Sequence, residues 1–175
     1  MKHFKNTLIT AGILVVAGLS PDTLMAGRLH HQNADGGVTA AAGRALQGAD
    51  GGGFSNGRRI STDGAGNASA VSGATGTTAK GGKFKRSGQF TRSAAGAVSR
   101  QGSAEASGQQ GSFTSSGTTG KNADGTVSMD HSSEASNATT GVTANSSTTY
   151  SSGQGISHNA VCTDSSGASV ACPSR

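Results

Sequence analysis

Six basic side chains, Lys80, Lys83, Lys85, Arg86, Arg92 and Arg100, fall within 21 residues, with Phe84 and Phe90 interleaved among them. No Asp or Glu interrupts the chain between Asp63 and Glu105. Cations at this density attract polyanions through counterion release, and interleaved rings add stacking surface. The cluster therefore predicts binding to an anionic surface polymer, such as acidic polysaccharide, lipopolysaccharide or extracellular DNA. A sequence-specific nucleic acid partner is not expected. The competing role is solubility: long charged side chains on an exposed strand discourage unwanted pairing.

The second chemical feature is the pair Cys162 and Cys172, in "VCTDSSGASVACPSR". An even count in an exported chain reads as a disulfide, and "DSSG" between the two is a turn-forming cluster that brings the sulfurs together across a hairpin. A metal site is not expected, because neither a Cys-x-x-Cys pair nor a nearby histidine cluster accompanies them. "MDHSSE" sets Asp130, His131 and Glu134 close in sequence, and it reads as a solvated turn. His131 and His158 lie four and two residues after Val127 and Ile156, which predicts different positions in the repeat described below. There is no Gly-x-Ser-x-Gly elbow with acid and histidine partners, no Walker loop and no dinucleotide fingerprint. The expectation is a non-enzymatic chain without a cofactor.

The N-terminus has the three-part layout of a secretory leader over residues 1–26: Lys2 and Lys5, an apolar run from Thr7 to Leu19, then Leu24-Met25-Ala26 before a cleavage point. The run is short for a bilayer span of ~20 residues, and no later stretch is apolar enough to be one. After cleavage the reading places the chain outside the cell or on its surface, with the periplasm as a further option, and with 12 basic against 8 acidic side chains.

What must position these groups is a repeat. Phe54, Phe84, Phe113 and Val142 form one column with spacings of 30, 29 and 29; Val38, Ala68, Val98, Val127 and Ile156 form another. Phe84–Ser112 and Phe113–Gly141 match at 11 of 29 positions without a gap, against roughly three expected by chance. "NADG" occurs at Asn33 and again at Asn122, three periods later. Two turns per unit are expected: one after the Phe column (Asn56-Gly57, Ser87-Gly88, Ser116-Gly117, Asn145-Ser146) and one before the Val column (Asp63-Gly64, Ala95-Gly96, Asp124-Gly125, Gln154-Gly155).

Short Ser, Thr and β-branched runs between turns predict an all-β fold of tandem 29–30-residue repeats, arranged as a narrow β-solenoid or as stacked hairpins. With 29 Gly, no Trp and one Tyr, the composition leaves a largely disordered Gly/Ser-rich chain as the alternative. The expected layout is a leader over 1–26, a partial repeat over 27–53, repeats over 54–161 with units starting near 54, 84, 113 and 142, and a disulfide-clipped end over 162–175. A catalytically bare repeat of this kind suits a structural or adhesive role in a surface or extracellular matrix, with self-association through unpaired strand edges.

Overall fold

The computed structural model describes residues 23–172, and these are strand and turn throughout. The strands are β1 (Thr23–Gln32), β2 (Val38–Gln47), β3 (Gly53–Thr62), β4 (Ala68–Thr77), β5 (Lys83–Arg92), β6 (Val98–Gly108), β7 (Gly111–Lys121), β8 (Val127–Asn137), β9 (Thr143–Ser151), β10 (Gly155–Thr163) and β11 (Ser169–Val170). Each pairs antiparallel with its sequence neighbours, giving one open 11-stranded sheet in the order β1 to β11. The arrangement is the stacked-hairpin form of the repeat. One sequence period is one hairpin: the unit starts near 54, 84, 113 and 142 fall at or beside the first residues of β3, β5, β7 and β9.

The hairpin tips explain the repeated "NADG". Asn33 N–H donates to the Gly37 carbonyl at 2.8 Å, and Gly36 N–H donates to the Asn33 carbonyl at 3.2 Å. Gly36 sits at φ 82° and its counterpart Gly125 at φ 90°. This is a three-residue loop closed by a glycine in the left-handed region. The aspartate before that glycine accepts the next backbone N–H: Gly37 N–H to Asp35 at 3.0 Å, Thr126 N–H to Asp124 at 2.9 Å. Three carboxyls at the tips are held below their ordinary 3.8: Asp124 by the Thr126 N–H, and Asp63 and Asp164, which stand at the loop-opening position of Asn33, chiefly by the Asn67 side-chain amide and the Ser166 hydroxyl.

The turns expected before the Val column are present, and those expected after the Phe column are not. Gly57, Gly88 and Gly117 lie at strand centres, and the second set of tips precedes the Phe column instead, as at Gly48–Gly52 and Thr78–Gly82. The reason is the single layer. With no second sheet packed on it, a glycine in mid-strand leaves no cavity, so Gly27, Gly43, Gly57 and Gly73 stand directly opposite one another across four strands. From β5 to β9 serine takes this row, as Ser87, Ser103, Ser116, Ser132 and Ser147, with Asn159 following on β10. Hydroxyl pairs span 2.8 Å at Ser87–Ser103 and 3.1 Å at Ser116–Ser132.

Because opposite residues share a face and successive residues alternate, the register defines two faces. One carries an apolar row across the whole sheet: Leu24, Leu46, Phe54, Gly76, Phe84, Ala106, Phe113, Ala135, Ala144, Cys162 and Val170. We call it the apolar face, and its reverse, with the Gly/Ser row, the hydroxyl face. Val38, Ala68, Val98 and Val127 lie on the apolar face too, at the far ends of their strands. Two column members are displaced. Val142 precedes β9, so Ala144 occupies the Phe position there, while Ile156 stands level with Tyr150 and Met129 rather than with Val127. A shorter turn, Ser152–Gln154, causes the second shift.

The columns stack beside one another on a face instead of inside a core. Among the described residues, only Ala74 and Cys162 are buried hydrophobics. Lateral packing takes the place of a core where it can. The Phe54 and Phe84 rings, two strands apart, stack with centroids 5.9 Å apart across the intervening Gly76, which is buried beneath them. At the C-terminal end a disulfide joins Cys162 to Cys172, ten residues on, and holds β11 against the last two residues of β10.

Candidate binding face

Strand alternation divides the sequence cluster of cations. Arg86, Arg92 and Arg100 extend from the apolar face; Lys83 and Lys85 extend from the hydroxyl face, and Lys80 sits in the β4–β5 turn. Lys85 stands opposite Glu105. The six are all exposed, and they do not form one surface.

The structure assembles a different set. Arg28 on β1, Arg44 on β2 and Arg58 on β3 join Arg86 on the apolar face. Their side chains flank a shallow trough whose floor is the backbone of Gly27, Gly43, Gly57 and Gly73. The trough runs across the strands, which succeed one another every ~4.8 Å. Strand alternation makes it: residues of the Gly row face the other way, so only their backbone lies between the guanidiniums that rise on either side. Arg44 also lies over the Phe54 ring, 5.6 Å from its centroid, a cation–π contact that orients the guanidinium while leaving its edge free. A second basic group lies toward the other end of the strands, where Arg100 stands opposite Phe90 and Arg92 opposite Val98, with Lys121 opposite Val98 from the next strand.

The strand residues of the apolar face thus carry six arginines and Lys121, and no Asp or Glu. The hydroxyl face carries three cations, Arg59, Lys83 and Lys85, and three acids, Glu105, Asp130 and Glu134. One face is cationic and the other is balanced. The sequence cluster concealed this because the arginines of the trough are 16, 14 and 28 residues apart along the chain. Their signal is that spacing, which is one or two half-repeats.

The histidines also differ from expectation. His131 and His158 share a row of the apolar face, on either side of Thr148, and the Thr148 hydroxyl lies 2.8 Å from His158 Nδ1. The shift of β10 that displaces Ile156 is what aligns them. Asp130 and Glu134 project from the opposite face to His131, so the "MDHSSE" groups do not converge.

No helix among the described residues is long and apolar enough to cross a membrane. No family model, curated protein or solved structure matches the chain.

Proposed function

We propose that this chain is an exported, non-enzymatic structural protein of a cell surface or extracellular matrix, and that copies join edge to edge. The observation that supports this reading is the pair of uncovered strand edges. Among the described residues β1 pairs only with β2, and β11 covers only Cys162 and Thr163 of β10, leaving Gly155–Val161 with one described neighbour. Unpaired N–H and C=O groups on such edges are a template for another strand. β1 and β10 run in opposite senses, as first and tenth strands of a meander. A second copy set beside the first by translation therefore presents β1 antiparallel to β10, with its faces aligned.

In the register that continues the rows, Arg28 of the added copy meets His158, and His30 meets Ile156. The expected cleavage after Ala26 removes the first four residues of β1, including Thr23 and Leu24, the two that would collide with β11. Of the expected leader, residues 1–22 lie outside the described residues, and 23–26 form the start of β1. The disulfide is compatible with an oxidising location. The anionic-polymer reading built on Lys80–Arg100 has weaker support, since those residues are divided between faces and a turn.

Proline tests the edge. In an antiparallel strand, adjacent residues turn their N–H groups to opposite sides, so of Ser157→Pro and His158→Pro one breaks the β9 ladder and the other blocks only the open edge. The expected result is that the folded variant of the two no longer forms sedimentable polymer while the parent does. A parent that stays monomeric at all concentrations, or a folded edge variant that polymerises equally well, contradicts the proposal.

A further inference from the structure

We infer that the apolar face is a docking surface for an anionic lipid surface. The inference concerns a face and not the edges, so it stands whether or not copies join. Three observations carry it. The first is the charge division: six arginines and a lysine on the apolar face, with no carboxylate among its strand residues, against a balanced reverse face. The second is that the larger share of exposed apolar side chains lies on the same face, namely Leu46, Ile60, Phe90, Phe113, Tyr150 and Ile156, the last 72% exposed, against Leu29, Val71 and Val161 on the reverse. The third is shape: the face is one layer of an open sheet, and none of the described residues packs on it.

A face with most of the large exposed apolar groups and all the net positive charge, backed by a charge-balanced face, is the sheet counterpart of an interfacial amphipathic helix. Binding of such an element combines buried apolar area with attraction to anionic headgroups. Arginine suits the charged part because its planar fork meets two phosphate oxygens at once. The trough between Arg28, Arg44, Arg58 and Arg86 gives headgroup phosphates a place to sit against bare backbone. A soluble polyanion would satisfy the guanidiniums but leave Leu46, Ile60 and Ile156 in water. A second copy laid face to face would set arginine against arginine. An anionic lipid surface uses both components.

The test is flotation of the full chain with vesicles of phosphatidylcholine plus phosphatidylglycerol, compared with phosphatidylcholine alone. Every variant keeps the same N-terminus, so any contribution of the leader is common to all. The expected result is binding to the mixed vesicles only. Arg44→Gln, Arg58→Gln and Arg86→Gln together should lower partition on the order of a hundredfold at low salt. Arg59→Gln, Lys83→Gln and Lys85→Gln, the same charge removed from the hydroxyl face, should leave it nearly unchanged. Ile156→Ser, at a site too exposed to affect folding, should weaken binding without changing charge. Equal losses from both triple variants would reduce the effect to net charge and overturn the inference. So would an Ile156→Ser chain that binds like the parent, or a chain that binds soluble polygalacturonate or single-stranded DNA but no vesicle. Repeating flotation on the edge-blocked proline variant separates a failure here from a failure of polymerisation.

Discussion

Gly73 and Gly76 lie three residues apart on β4, on opposite faces, and a methyl group would meet different surroundings at each. At Gly73 the nearest atom is the Arg86 carbonyl oxygen at 3.7 Å, an ordinary contact. At Gly76 the methyl would run into Cε1 and Cζ of Phe84, and would sit 2.9 Å from the Gly53 carbonyl oxygen. The first glycine leaves space unused; the second is the floor on which Phe54 and Phe84 meet. The same contrast extends across the faces. The apolar face packs sideways, ring over glycine and guanidinium over ring, and does with lateral contacts what a globular domain does with layers. The hydroxyl face makes short Ser–Ser pairs, buries Thr39 between Asn33 and Ser61, and is mostly solvated. A sheet with almost no buried side chains must draw its cohesion from backbone ladders and from these lateral contacts, since backbone ordering costs ~1–2 kcal/mol per residue.

That comparison can be broken or sharpened by substitution. Near the C-terminal end of the apolar row Cys162 is only 1% exposed, and the disulfide that fixes it should give the largest effect. Replacing both cysteines by alanine should cost roughly 3 kcal/mol in chemical denaturation and should release β11, seen as loss of amide protection at Cys162 and Thr163. Next comes the glycine pair. Gly76→Ala should destabilise by about 1–3 kcal/mol through overpacking, whereas Gly73→Ala should be neutral or stabilise by up to ~1 kcal/mol by relieving the unfolded-state entropy of glycine. Effects of the same sign and size would show that the faces do not differ as described. On the hydroxyl face, Ser116→Ala removes one half of the pair with Ser132 and should cost no more than about 1 kcal/mol.

The smallest effect should be at the hairpin tips and should depend on pH. The Asp63, Asp124 and Asp164 carboxyls are held below 3.8 by the hydrogen bonds they accept. A depressed folded-state value means that the unfolded chain takes up protons first as acid is added. The stabilisation is therefore complete above about pH 4 and fades as pH falls through the lowered folded values. Thermal denaturation of an Asp124→Asn chain should show a shallower loss below pH 4 than the parent.

Much of this architecture was legible from spacing alone. The period of 29–30 residues is the hairpin, and Phe54, Phe84 and Phe113 do share one row. The turns were half legible. Every unit holds more than one glycine, and sequence alone does not say which reverses the chain when mid-strand glycine is tolerated. A discriminating feature lies beside it: in "NADG" an aspartate precedes the glycine and accepts the following N–H, while Asn56-Gly57 sits opposite Gly43 and Gly73 at strand centres. The binding face was hidden for a related reason. Nearness along the chain groups Lys83 and Lys85 with Arg86, yet alternation sends them to opposite sides, while Arg28, Arg44 and Arg58 meet only after the hairpins fold. His131 and His158 needed the three-residue β9–β10 turn, whose length shifts β10 against the columns.

The central claim is that the sheet formed by the described residues is paired along its length and open for a further copy at its two ends. Residue-resolved hydrogen exchange on dispersed and on sedimented protein addresses it most directly. The account predicts that sedimentation raises protection at alternate amides of Gly27–Gln32 and of Gly155–Val161, while β4 to β6 change little. Sedimented protein whose β1 and β10 amides exchange as fast as in the dispersed chain would contradict it.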